Sequence, residues 1–568
     1  MRHKINSLSL LLLFLCAFTS FVWAGPEAEY KKLSKSWTLN PDGSQVFHCN
    51  MELTIYTHTA MRSAYGETFI IYNPDYQTLK INESYTKQKD GTIIRTPDNA
   101  FVEVLPYSAS DAPAYNNLKE MVVVHTGLEL GATIYLDYTL TSKAGYLPAI
   151  DILEVIPQSS PVKEYNLAIT VPEGEDLSYG LIHPDAEAKV TIENGMRTTS
   201  WTLKNVKASS RAPMRHIYDG DIQILTASSY PSEAEALKSL YEQLEMRESM
   251  PLLSLAETIT EGKDSDTDKL RAILAFVNQN FAHSALSLEE TGYRIRPVEE
   301  VINSAYGTQA ELTDLLQGLL NALRIPTEVC VHFPLNDAPE DSFGLKGASL
   351  FLKSEADGVI YLLNPFSDKM DNAGWLAGRC RMVDIKSGNP VTLPQPDSKI
   401  TGEVTMRIDA SKVIAEIHAE VPAGLVSYVD VPEKSSTETE ELTLANGYAL
   451  VHLPVVPASQ NTQSYASMNT TRKSNLSLLY VPDESYTYTL EIPEGMTLCT
   501  PTGKKQMANK AGEMYIEVEL TGNKVIVKRS LQVKSTQITE SVYPDFHKLM
   551  AEWVNPNNTS LILKSIEN

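Results

Sequence analysis

Gln309 stands where chemistry would be easiest to install, in the first turn of a helix that the sequence predicts. The run Gly307-Thr308-Gln309-Ala310-Glu311 leads into Leu312, Leu315, Leu316, Leu319, Leu320 and Leu323, which repeat at the spacing of one buried helical face. Thr308 followed three residues later by Glu311 is a capping box, and it fixes where the helix begins. Free N–H groups at such a start lower the pKa of a cysteine, because the helix dipole favours the thiolate. Here the position holds an amide, which is not a nucleophile. Cys330 and His332 lie two apart on a predicted strand and share a face, so they form a nucleophile-and-base candidate. Strand neighbours hold a fixed spacing rather than a close hydrogen bond, which favours a buried core thiol instead. Glu311 and Asp314 form a carboxylate pair three apart, and capping with dipole stabilisation is the simpler reading. His48, His125, His283 and His418 show no ligand spacing and read as structural or exposed. No metal and no cofactor is expected, and no Gly-rich loop after a strand indicates a nucleotide.

These residues belong to a chain of 568, enough for about three or four domains. A hydrophobic fraction of 43% supports ordinary cores. Residues 1–24 carry Arg2 and Lys4, an apolar run from Leu10 to Phe18, and small residues at the −3 and −1 positions of Val22-Trp23-Ala24. That is the pattern of a secretory signal peptide cut before Gly25. Cys16 raises lipid modification, but Leu15 before it is bulkier than lipoprotein processing usually accepts, so a soluble exported protein in the periplasm or outside the cell is expected. Losing two basic residues and no acid takes the formal charge from −23 to −25. Such a chain repels nucleic acid and anionic lipid, and no other apolar run reaches the length of a bilayer span. Cys49, Cys330, Cys380 and Cys499 are widely spread, without a metal-binding spacing or a readable pairing, and buried free thiols are the simplest reading.

The elements that would position the helix start fall into three regions. From about Trp37 to Pro213, short alternating runs such as Ile134-Leu136-Tyr138-Leu140 and Tyr165-Leu167-Ile169-Val171 sit between turn residues, the pattern of a β-sandwich. Ser232 and Glu235 then cap a helix running towards Leu244, and Asp266 or Thr267 opens another with Leu270, Ile273, Leu274, Val277 and Phe281 on one face. A short helix is predicted around Val298 to Ile302. After the leucine-rich helix, Thr327–Phe333, Ala348–Leu352 and Val359–Leu363 read as strands, the last two joined by a hairpin at Asp357-Gly358. Helices followed by antiparallel strands describe an α+β domain. From about Ser398 the β pattern returns, with Lys434 to Glu441 read as a solvated loop. Tyr486-Tyr488-Leu490-Ile492 before Pro493-Glu494-Gly495 echoes the earlier strand before Pro172-Glu173-Gly174. The expected domains are 25–231, 232–395 and 396–568, after the leader at 1–24.

The middle region resembles the transglutaminase-like core, a papain-like fold, as found in exported bacterial proteins behind an N-terminal β domain of unknown function. The likeness rests on the helix Asp268 to Phe281, the lead-in Tyr293-Arg294-Ile295-Arg296-Pro297, the loop Gly307 to Glu311, Leu323-Arg324-Ile325-Pro326, and the hairpin closing at Leu362-Leu363-Asn364-Pro365. The outer β domains also look like the usual companions of this core. The resemblance implies a multidomain α+β architecture, a papain-like transglutaminase core between two antiparallel β-sandwich domains. It also implies where a Cys-His-Asp triad should stand. The Gly-Asp-Cys position reads Gly307-Thr308-Gln309, the histidine position falls on Ser349, and Leu-Asp-Pro reads Leu363-Asn364-Pro365. Acyl transfer of this kind needs a thiolate, an imidazole and an orienting carboxylate, and Gln309, Ser349 and Asn364 supply none. The resemblance places Tyr361, Phe366 and Trp375 near the cleft, where aromatic rings stack on sugars or pack on peptides. The expectation is therefore a non-catalytic protein that binds a peptide, protein or glycan in the old cleft. The alternative is a cysteine peptidase or transglutaminase-type enzyme with a displaced nucleophile, Cys330.

Overall fold

The computed structural model describes residues 25–566 except 183–186, 210–211, 213, 216–222, 245–249, 335–341, 372–380, 392–397, 423–424, 426–434, 461–464, 466–467 and 479. The leader, Cys16, Trp375 and Cys380 thus lie outside the described residues. Three large hydrophobic cores follow one another along the chain, one in each region that the sequence pattern separates.

The two outer regions are β domains with the same strand order at their centres. In the first, Ala28–Leu39 pairs antiparallel with Gln45–Ile55 on one side and parallel with Val162–Pro172 on the other. Met196–Val206 then adds antiparallel to Val162–Pro172, and Lys189–Glu193 to Met196–Val206. In the last region, Lys399–Asp409 takes Lys412–Glu420 antiparallel and Asp483–Glu491 parallel. Lys524–Val533 and Gly512–Thr521 follow on the same side. The two strands that precede Pro-Glu-Gly are the parallel partners of each domain's first strand, so the short sequence echo marks a repeated topology. The expected loop after Lys434 is instead a strand, Ser435–Glu441, at the edge of the C-terminal sheet. Its alternating Ser, Thr and Glu residues are exposed or half-exposed, and such polarity on an edge blocks pairing with other chains.

The central region packs helices Met250–Ile259 and Asp266–Asn280 around Gln309–Ala322, which lies on a five-stranded antiparallel sheet. Leu312, Leu315, Leu316, Leu319 and Leu320 are all fully buried, and replacing any one by alanine would cost about 2–5 kcal/mol. The helix Asp266–Asn280 is capped by Ser265, whose Oγ accepts from Asp268 N–H at 3.0 Å. The helix thus starts at Asp266, one of the two positions expected. Strands Ser349–Ala356 and Val359–Leu363 form the expected hairpin. Asp357 and Gly358 have φ of 50° and 76°, the left-handed pair a two-residue type I′ turn requires. Asp357 also accepts from Thr267 N–H at 2.8 Å, tying the hairpin tip to the start of the neighbouring helix.

Candidate functional site

The start of the helix Gln309–Ala322 is built by a buried ion pair as well as by its cap. Thr308 Oγ1 accepts from Glu311 N–H at 3.3 Å, and Glu311 Oε2 accepts from Thr308 N–H at 2.8 Å. Glu311 is fully buried and also takes two bonds from Arg296, Nε at 2.9 Å and Nη2 at 3.0 Å. The Tyr115 hydroxyl of the N-terminal domain donates to the same carboxylate. The guanidinium lies over the rings of Tyr306 at 4.5 Å and Tyr115 at 5.4 Å. Burial acts against the Arg296 charge, but Glu311 outweighs it, so the guanidinium is held above its usual pKa. Burial, followed by the charge of Glu311, drives the Tyr115 phenol far up. This carboxylate is fully engaged in structure, so Glu311 and Asp314, the latter also buried, do not form an acid–base couple open to a substrate.

Gln309 uses both ends of its amide on one residue of the adjacent strand. Oε1 accepts from Leu350 N–H at 2.7 Å and Nε2 donates to Leu350 C=O. Thr313 Oγ1 donates to Leu350 C=O at 3.1 Å. Pairing between Ser349–Ala356 and Val359–Leu363 stops at Leu352 opposite Leu363, so Leu350 has no strand partner on that side. The glutamine amide takes the place of the missing peptide group.

Ser349 and Asn364 face elsewhere. Leu350 and Leu352 join the core around the helix, whereas Phe351 and Cys330 form a small cluster on the other face of the sheet. Alternation puts Ser349 on that second face, and its Oγ lies 3.4 Å from His332 Nδ1, its cross-strand neighbour. Asn364 Oδ1 accepts from Phe366 N–H at 3.0 Å and its carbonyl from Ser367 N–H at 2.9 Å, a local turn. Among the described residues no hydrogen bond joins Gln309, Ser349 and Asn364. Tyr361 and Phe366 are partly buried against the central core.

His283 belongs to this neighbourhood, which its spacing in the sequence does not reveal. It sits on Ala282–Ser284, paired parallel to Tyr306–Thr308 with His283 opposite Gly307. Its ring stacks on Phe366, with centroids 4.4 Å apart and planes 7° from parallel. Desolvation lowers its pKa, which favours the neutral imidazole. Cys330 is fully buried, and burial pushes its thiol up to about 12, so it carries no thiolate near neutral pH. Its Sγ contacts the Glu328 carbonyl at 3.7 Å. Among the described residues Cys49, Cys330 and Cys499 are free thiols, and no cluster of His, Cys, Asp and Glu suits a metal ion. No described helix is long and apolar enough to cross a membrane.

Three family regions match the chain in order: the domain of unknown function DUF3857 over 41–210, the transglutaminase-like superfamily over 253–375, and the domain of unknown function DUF3858 over 448–563. No curated protein matches the chain. A crystal structure from Parabacteroides distasonis, described as that of a candidate protease, is 37% identical over 95% of this chain and 99% of that chain, with a TM-score of 0.79. A candidate cysteine protease from Cytophaga hutchinsonii is 9% identical over 52% of this chain and 90% of that chain, and its TM-score of 0.20 establishes no common overall fold. Identity at that first level along both whole chains, with the three regions in sequence, means that this chain belongs to the transglutaminase-like superfamily, in the form whose core lies between two β domains.

Proposed function

We propose that the chain is an exported, non-catalytic member of this superfamily that binds a peptide, protein or glycan through its central domain. The observation that carries the reading is the Gln309 amide, spent on the backbone of Leu350 at the point where a nucleophile would need to be free. An amide so engaged neither attacks a carbonyl nor accepts a proton. Ser349, bonded toward His332, and Asn364, closing its own turn, add no base and no carboxylate. The leader pattern of residues 1–24 supports export. Phe366, stacked on His283 opposite Gly307, offers partly buried aromatic surface for a ligand beside the helix start, and Tyr361, which pairs with Ser354 toward the other end of the helix, and Trp375 are the further candidates.

The competing reading is a cysteine peptidase or transglutaminase-type acyl-transfer enzyme working from Cys330. It draws on the description of the Parabacteroides protein. The buried, protonated thiol of Cys330 argues against it. The deciding experiment assays the purified full chain for peptide hydrolysis and amine incorporation, before and after thiol blocking. The proposal expects background rates in both. Robust turnover would overturn it, and loss of that turnover in Cys330→Ser would establish the displaced nucleophile.

A further inference from the structure

One sheet edge of the N-terminal domain is apolar. The strands Glu67–Tyr72, Lys119–Val124 and Phe101–Val104 form an antiparallel sheet in that order, so Phe101–Val104 is an edge. Ile70 and Val123 turn inward against Leu136 of the strand Thr133–Ser142. The opposite face carries the cross-strand rows Phe69–Val122–Val102 and Ile71–Glu120–Val104, all apolar but Glu120. Phe69 is 57% exposed and Val102 42%. The apolar strip continues beyond the strand in Leu105 and in Tyr107, which is 90% exposed.

Folded proteins usually place charge, proline or a bulge on a free edge, as the polar residues of Ser435–Glu441 do here. Another edge, Lys189–Glu193, exposes Val190 and Ile192, but their cross-strand neighbours Thr199 and Arg197 are polar. On Phe101–Val104 the single charge is Glu103, on the face away from Val102 and Val104. The Tyr72 hydroxyl donates to one of its oxygens, and among the described residues no lysine or arginine pairs with this carboxylate. Residues 97–117 contain Asp98, Glu103 and Asp111 and no basic residue. Among the described residues no strand pairs with the far side of Phe101–Val104, so alternate peptide groups there lack a ladder partner.

We propose that an extended peptide segment of a partner protein, apolar and basic in alternation, adds to Phe101–Val104 as a fourth strand. The unpaired peptide groups supply the backbone bonds. Alternation of side chains sets the sequence that fits. Residues opposite Val102 and Val104 lie on the outer face and extend its apolar rows, and the residue between them lies opposite Glu103 and brings the missing cation. A wholly apolar segment leaves Glu103 without a counter-charge. An acidic one is repelled by the three acids of this segment and by a chain of net charge −23. The site lies in the N-terminal domain and is independent of the cleft proposed above.

The probe is the peptide acetyl-Thr-Thr-Val-Lys-Val-Thr-Thr-amide, titrated calorimetrically into the full chain at neutral pH and low ionic strength, beside the same peptide with Glu in place of Lys. The lysine peptide should bind about fivefold or more tighter. Two N-methylated forms test the backbone pairing, one methylated at Lys and one at both Val residues. Their N–H groups point to opposite sides of the added strand, so only one of the two forms should lose binding. Val102→Lys should weaken the lysine peptide at least tenfold, because it blunts the edge with a like charge. Glu103→Lys should reverse the preference between the lysine and glutamate peptides, and it serves where Val102→Lys does not fold. No binding by the wild-type chain, equal binding of the two peptides, the same response to both methylated forms, or a preference unchanged by Glu103→Lys would overturn the proposal. A wild-type dimer in sedimentation equilibrium that Val102→Lys dissociates would assign the edge to a second copy and overturn it as well.

Discussion

Gln309 and Leu350 face each other as two residues of paired strands would, with the side-chain Oε1 accepting at 2.7 Å from one backbone N–H and Nε2 donating to the carbonyl of the same residue. Strand Val359–Leu363 stops short of this point, and Pro365 lies just beyond it with no N–H to give. The residue at the head of the central helix thus closes the sheet edge.

Gln309→Ala should accordingly behave as a core lesion. It strands the buried N–H of Leu350, and the expected loss is about 1–3 kcal/mol in urea unfolding of the full chain. Gln309→Glu should cost at least as much, because it places a carboxylate oxygen against the Leu350 carbonyl in place of a donor. An unchanged unfolding midpoint in both variants would show that the pairing has no energetic weight.

Building a cysteine–histidine couple by substitution at Gln309 and Ser349 should fail for a geometric reason. A cysteine introduced by Gln309→Cys would gain from the helix dipole. A histidine introduced by Ser349→His would extend from the sheet face shared with Phe351 and Cys330, opposite the face that packs on the helix. The thiol-alkylation rate against pH of Gln309→Cys should therefore be the same with and without Ser349→His. A downward shift of its midpoint in the double variant would show that the two side chains meet.

Arg296 ties the helix start to the N-terminal domain, since the carboxylate it holds also receives Tyr115 OH. Arg296→Met removes the cation and leaves Glu311 charged in a site with no exposure, at a cost of about 3–5 kcal/mol. The double variant with Glu311→Met should recover part of that loss, because the stranded charge leaves with it. Denaturant unfolding of the two variants measures both effects.

Much of this arrangement is legible in the sequence, and the unread part has a common cause. The capping box at Thr308 and Glu311, the buried leucines and the turn at Asp357-Gly358 depend on residues close in sequence, and local spacing carries them. The Pro-Glu-Gly echo reflects a repeated strand order for the same reason: each marks the end of one strand type. The role of Gln309 depends on where a strand distant in sequence stops pairing, and the Glu311–Arg296–Tyr115 contact spans two domains. His283 reaches the site through three residues of parallel pairing, too short to leave a pattern. The edge strand Ser435–Glu441 reads as a loop because its side chains contribute almost nothing to the core.

Two buried carboxylates give the fold a stability that declines with rising pH. Burial raises both Asp151 and Glu484 to about 7, while the unfolded chain has them near their ordinary values of about 4. Glu484 is fully buried, accepting from Gln460 N–H at 2.7 Å and Tyr486 OH at 2.9 Å, with Arg529 close enough to lower its pKa only in part. Between about pH 4 and pH 7 the folded state keeps protons that the unfolded state has released. Their contribution is therefore complete below about pH 4, falls as pH rises through this window, and levels off above about 7. Asp151→Asn and Glu484→Gln remove the titrating proton while keeping the shape. The stability of each variant relative to the wild-type protein should rise steadily from about pH 4.5 to pH 7.5, read as the difference in unfolding free energy at matched pH. A difference that stays constant across that range would mean that these carboxylates ionise normally in the fold.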